Sequence, residues 1–156
     1  MVPDQDEKEK ARACALRLLK FRLRSEREIR DKLSQKEFAR GVIDETLASL
    51  KKSGLVDDET FARLWVETRM KRPLGRNRLR RELKKKGVDE KWIEAAFERA
   101  CQGYDEKEVV RGLVRQKMKR MQGLEEDKVK ARLFGYLVRR GFPQNLVIET
   151  ILEEIR

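Results

Sequence analysis

The 156-residue chain has no histidine, which removes the commonest general base, the commonest metal ligand and the usual switch near neutral pH. Chemistry by carboxylates alone stays open, but nearly all the Asp and Glu alternate with Lys and Arg along helical stretches, as solvated faces do. The expectation is a non-enzyme with no catalytic residue, no metal and no cofactor. Cysteine is almost absent too, with two in the chain. Cys14 stands among Ala11, Ala15 and Leu18, and Cys101 follows Ala100 at the end of a helical run. Neither has a partner at metal-ligand spacing, so both read as reduced thiols that act as small apolar residues. No apolar run approaches the roughly 20 residues needed to span a bilayer, and the N-terminus carries charges where a signal peptide needs an apolar core. A cytoplasmic protein without membrane contact is expected. Nothing alternates with period two over a strand length, so a β-sheet has no support.

What the chain does have is charge and a repeat. Charged residues make up 43%, which limits the apolar supply for one deep core, and 39 Lys and Arg against 28 Asp and Glu give a net charge of +11. That balance favours an anionic partner, with nucleic acid ahead of membrane. The repeat is anchored on Leu33, Leu83 and Leu137, spaced 50 and 54 residues apart. Four residues before each anchor stands an aliphatic (Ile29, Leu79, Leu133), and five after it an apolar residue (Phe38, Val88, Phe142). Ten and fourteen after it come Ile43 and Leu47, Ile93 and Phe97, Val147 and Ile151. Self-similarity at this period marks stacked units that bury their apolar faces against one another. The fold class expected is all-α, with three tandem three-helix repeats in an elongated, curved stack.

Local signals divide the chain into a flexible N-terminus over 1–10, then repeats over 11–55, 56–103 and 104–156. Residues 1–10 are polar and contain Pro3, so fraying is expected before a first helix near 8–22. Ser25 with Glu28 forms a capping-box pattern that starts a second helix, and a third runs near 39–52 and ends at Gly54. Asp57 opens the next unit, Pro73 and Gly75 break it, a helix near 76–86 closes at Gly87, and Asp89 caps the one after. The third unit repeats the plan over 105–121 and 126–140, with Gly141 at the turn and Pro143 before the last helix. Nine helices result. Gly87 and Gly141 supply the left-handed backbone that a helix end wants, whereas Glu37 occupies that position in the first repeat, so its turn is expected to be built differently.

Between Arg69 and Lys86 lie ten basic residues and one acid, Glu82. Because Leu79 and Leu83 must face the core, Arg76, Arg80, Arg81, Lys84 and Lys85 are driven outward into a basic strip; a solubilising helix face is the plainer reading of the same charges. The tight glycine turn resembles a helix-turn-helix, but the helix after Gly87 has an acidic balance unsuited to lie among phosphates, which favours backbone or protein-surface contact over base reading. Phe61 and Trp65 have core spacing, and Trp92 beside the Ile93 stripe is the better aromatic contact candidate.

Three segments resemble the RecX regulators of bacterial recombination: LLKFRLRSEREIRDKL (18–33), GLVDDETFARLWV (54–66) and GRNRLRRELKKKGV (75–88). The resemblance implies tandem three-helix repeats that bind the RecA recombinase filament on DNA, lodge in its groove, suppress ATP hydrolysis and strand exchange, and hinder filament extension. On this reading the contacts are Arg76, Arg80, Arg81, Lys84 and Lys85, with Arg22, Arg24, Arg139 and Arg140 as outer supports. The partners are the RecA filament and, weakly and without sequence preference, the DNA backbone; the chain itself is expected to be a monomer. The alternatives are a sequence-independent DNA-binding protein without a recombinase partner and a scaffold for uncharged partners, which fits the charge least well.

Overall fold

The structure, a computed structural model, describes residues 4–156, and among them every regular element is an α-helix. There are nine: α1 (Gln5–Phe21), α2 (Glu26–Gln35), α3 (Arg40–Lys52), α4 (Asp58–Arg69), α5 (Arg76–Lys85), α6 (Glu90–Ala100), α7 (Glu106–Met118), α8 (Glu126–Arg139) and α9 (Gln144–Ile155). They form three three-helix repeats, α1–α3, α4–α6 and α7–α9. The first helix starts earlier than the sequence suggests, because Asp4 accepts the Asp6 N–H while Asp6 and Glu7 place carboxylates in the positive first turn. The part of the fraying expectation that falls on residues 1–3, Pro3 included, lies outside the described residues. At α2 the capping box is complete: Ser25 Oγ accepts the Glu28 N–H and the Glu28 carboxylate accepts the Ser25 N–H.

The chain divides into two compact units, one of residues up to Leu64 with Leu83–Ala95, the other of Trp65–Glu82 with Ala96–Arg156. In the first, α1 and α2 pack on α3, and Ile29, Leu33, Ile43 and Leu47 lie in a core that Cys14 and Ala15 join from α1. In the second, α7 and α8 pack on α9 around Leu133, Leu137, Phe142, Val147 and Ile151. Every position of the repeat pattern is buried except Phe38, which packs half-buried on the first core.

The turn after each middle helix is the same in all three repeats, against the expectation for the first. At Leu83 the carbonyl accepts the N–H groups of Lys86 and Val88; Leu137 does so for Arg140 and Phe142, and Leu33 for Lys36 and Phe38. Glu37 takes the left-handed backbone itself, at φ 64° beside 75° for Gly87 and 93° for Gly141. The difference lies in what packs against the turn. A Cβ on Gly87 would overlap the Arg27 side chain, and one on Gly141 would overlap the Cβ and N of Arg78. Glycine is thus required where a helix start lies on the turn, whereas Glu37 is exposed.

Those two close approaches belong to one recurring junction. In the first unit the start of α2 meets the α5–α6 turn, where the buried Ser25 hydroxyl donates to the Lys86 carbonyl at 2.7 Å. In the second the start of α5 meets the α8–α9 turn, where the N–H groups of Gly75 and Asn77 donate to the carbonyls of Arg140 (2.8 Å) and Gly141 (3.0 Å). An acid from the next repeat completes each: Asp58 accepts the Glu26 N–H at 2.9 Å, and Glu106 accepts the Arg76 N–H at 3.2 Å. Asp58 and Glu106 are the first residues of α4 and α7, so each repeat satisfies helix-start donors that the preceding middle helix cannot satisfy itself.

Candidate functional site

On α5, Leu79 and Leu83 are fully buried, which turns the positions between them outward. Arg81 and Lys85, four apart on this helix, are exposed and hold no ion pair or hydrogen bond among the described residues. Lys84 is exposed and pairs with Glu90 at 3.0 Å. Arg80 is half-buried, its guanidinium 5.5 Å from the centre of the Phe97 ring. Arg76 turns toward Glu106, with its Nε 3.8 Å from that carboxylate and its backbone at the junction. The strip read from the sequence therefore divides into cations that face solvent and one that helps hold the fold.

The outer candidates divide in the same way. Arg22 makes a two-pronged contact with Glu28 (2.9 and 3.1 Å), and Lys86 reaches the same carboxylate at 2.6 Å. Burial pushes the Glu28 carboxyl up, but hydrogen bonds from Arg22, Lys86 and the Ser25 N–H outweigh it and hold the group at about 2. Arg140 donates to the Pro73 carbonyl at 3.0 Å and lies 4.9 Å from the Tyr136 ring. Arg24 is half-buried, with an Nε that has no hydrogen-bond partner among the described residues. Arg139 is exposed and without an ion pair among them. Of the five bases between Arg111 and Arg120, Arg111 and Arg115 pair with Glu154 inside the second unit, where Lys107 also pairs with Glu149 and Glu153.

Glu28, read from the sequence only as half of a capping box, organises Arg22 and Lys86; Asp58 and Glu106, which cap the starts of α2 and α5, have no place among the candidate site residues. The signal available was an acid at the first position of both α4 and α7. The first unit has a cavity of about 590 Å³ lined by Glu26, Asp57, Asp58 and Asp89 with Lys51 and Trp92. Its acids are employed locally: Asp57 accepts from Glu59 and Thr60, Asp89 from the Lys91 N–H, and Asp58 from Glu26. Burial raises the Asp58 carboxyl, and the Glu26 N–H opposes it. Trp92 is half-buried under Lys91, 4.8 Å away, whereas the Trp65 indole donates to Glu82 at 3.0 Å. No group among the described residues could hold a metal ion, and no helix among them is long and apolar enough to cross a membrane.

One surface departs from the repeat. In the first unit Arg30 on α2 pairs with Asp44 on α3 at 2.6 Å. The matching positions of the third repeat, counted from its anchor, hold Phe134 and Ile148. With Ala131, Ile151 and Leu152 they line an open groove of about 280 Å³, in which Ile148 is 48% and Leu152 43% exposed.

Family models for the first, second and third three-helix domains of RecX match residues 11–50, 57–96 and 105–151 in that order. A regulatory protein RecX from Streptomyces lividans is 35% identical over 98% of this chain and 81% of its own length. One from Mycobacterium sp. (strain KMS) is 36% identical over 98% of this chain and 88% of its own. Among solved structures, RecX from Lactobacillus salivarius superposes with a TM-score of 0.81 at 25% identity, covering 96% of this chain and 97% of that one.

Proposed function

The chain belongs to the RecX family of regulatory proteins, and from that premise we propose that it inhibits the RecA recombinase by binding in the groove of the RecA–DNA filament. There it suppresses ATP hydrolysis, strand exchange and filament extension. The observation that carries this reading is the match of all three family domains, in order, along the chain. The contacts are the cations that face solvent: Arg81, Lys84 and Lys85 on the middle repeat, with Arg80 beside them and Arg139 on the third. Arg22, Arg76 and Arg140 support the contact surface from within the fold, and Arg24 stands at its edge.

The runner-up, a sequence-independent DNA-binding protein without a recombinase partner, draws support from the net charge of +11 and the same exposed cations. The two part at the apolar groove of the third repeat, which a protein partner uses and a DNA backbone does not. The test follows ATP hydrolysis by RecA assembled on single-stranded DNA as the chain is titrated in. Substoichiometric loss of hydrolysis is expected, whereas a plain DNA competitor needs amounts that scale with free sites. Arg81→Glu with Lys85→Glu should weaken both inhibition and binding to DNA alone, by about tenfold or more at low salt. Ile148→Asp, which installs the acid of the first repeat, should weaken inhibition and leave DNA binding unchanged. Inhibition that only tracks DNA affinity across these variants overturns the recombinase reading.

A further inference from the structure

The C-terminal half of α1 has a surface that the junctions and the basic strip leave unused. Phe21, its last residue, is 83% exposed, more than any other large apolar side chain of the chain's described residues. It lies in a segment, residues 10–25, with six cations and no acid. Three of the six are committed: Lys10 to Asp6, Arg12 to Ser49 and Arg22 to Glu28. Arg17, Lys20 and Arg24 hold no ion pair among the described residues. Arg17 precedes Phe21 by four residues, so the two are neighbours on one helix face.

Arg17 also lines an open cavity of about 530 Å³ between α1 and the α2–α3 turn, whose other lining residues are Lys10, Ala13, Cys14, Lys36 and Phe38. All of its charged lining is positive. An exposed aromatic face therefore stands about one helical turn from a cation-lined hollow, ~5.4 Å along the axis. We propose that this face of the first repeat is a site for single-stranded nucleic acid, in which Phe21 stacks a base and Arg17, Lys20 and Lys36 of the cavity take the adjoining phosphates. A duplex serves this surface poorly, because its base faces are already stacked and only its phosphates remain available. A protein ligand is the less suited occupant: although Leu16 and Leu23 nearby are 39% and 47% exposed, the segment around them bears positive charge throughout. Glu37, between the lining residues Lys36 and Phe38 in the chain, is exposed and is the one acid of the α2–α3 turn.

The site is independent of the recombinase reading, since its readout needs DNA alone. Binding of the full chain to labelled oligothymidylate is compared with binding to a hairpin duplex carrying as many phosphates. Phe21→Ala should weaken single-strand binding by about tenfold, the scale of one stacked base, and change duplex binding by less than about twofold. Phe21→Trp should restore it. Arg17→Gln should flatten the log–log salt dependence on single strands by about 0.7, and Glu37→Gln should tighten binding. Helicity and melting of every variant are checked first; Phe21 is a surface residue, so they should match the parent. Equal loss on both DNA forms, or no loss on either, overturns the site. So does a Phe21→Ala chain that keeps single-strand affinity but no longer inhibits the filament, which would assign Phe21 to a protein contact. A parent chain that binds oligothymidylate through Phe21 yet leaves RecA unaffected would sink the filament reading and leave this site standing.

Discussion

Glu28 ties its own helix to Arg22 before it and to Lys86, 58 residues further on, through one carboxylate. A carboxyl held at about 2 against an ordinary 4.5 binds its proton less readily folded than unfolded. It therefore adds stability that is complete above about 4.5 and drains away as the pH falls toward about 2. Glu28→Gln should cost about 1–3 kcal/mol at neutral pH and make the acid-side loss shallower than in the parent, as read from denaturation midpoints across that range. Parallel acid curves would mean that the carboxyl carries no such linkage. Glu37 makes the opposite case. An L-residue in the left-handed region costs about 1–2 kcal/mol, while glycine adds about 0.5–1 kcal/mol of unfolded-state entropy. Glu37→Gly should thus stabilise the chain by up to about 1 kcal/mol, and a lower urea midpoint would show that the Glu37 side chain itself holds the turn. The sequence could place the residue at a helix end but not its backbone angle, because the anchor carbonyl of Leu33 dictates the turn with or without glycine.

At the scale of elements, the helices were legible because their apolar spacing recurs three times, and burial of the three anchors follows it. Leu83 shows why the anchor matters. Its side chain is fully buried, and its carbonyl accepts two N–H groups of the turn on which α2 starts. Leu83→Ala should cost about 2–5 kcal/mol; a denaturation midpoint that barely moved would mean that the core closes around the smaller side chain. What spacing could not reveal is who satisfies the helix starts. Ser25 and Lys86 lie 61 residues apart, and Arg76 and Glu106 lie 30 apart. Local signals identify Ser25 as a cap for its own helix, as it is, but give no hint that its hydroxyl also reaches the next repeat. Distance likewise hid the engagement of Arg76 with Glu106 and of Arg140 with Pro73; in sequence these two arginines look like any other cation of a basic run.

For the whole molecule, these junctions change what removal of a repeat would do. The compact units do not follow the repeat boundaries, since α4, α5 and α6 each begin in one unit and end in the other. A chain ending at Gly103 keeps the first two repeats but strips the second unit of α7, α8 and α9. The N–H groups of Gly75, Arg76 and Asn77 then lose their acceptors on Arg140, Glu106 and Gly141. These donors then bond to water instead, at a net loss of about 0.5–1.5 kcal/mol each, and the apolar cover goes with their acceptors. The fragment should therefore show less helix per residue than the intact chain, with fast amide exchange at the start of α5. Residues of the first unit, which draws its contacts from up to Leu64 and from Leu83–Ala95, should stay protected. Loss of filament inhibition by such a fragment would mix missing contacts with unfolding, so the contact surface is better tested by Arg81, Lys85 and Ile148 in the full chain. Should the fragment instead keep full helicity per residue and slow exchange at Gly75–Asn77, the middle repeat folds without its neighbour's caps, and the junction contributes specificity of stacking rather than stability.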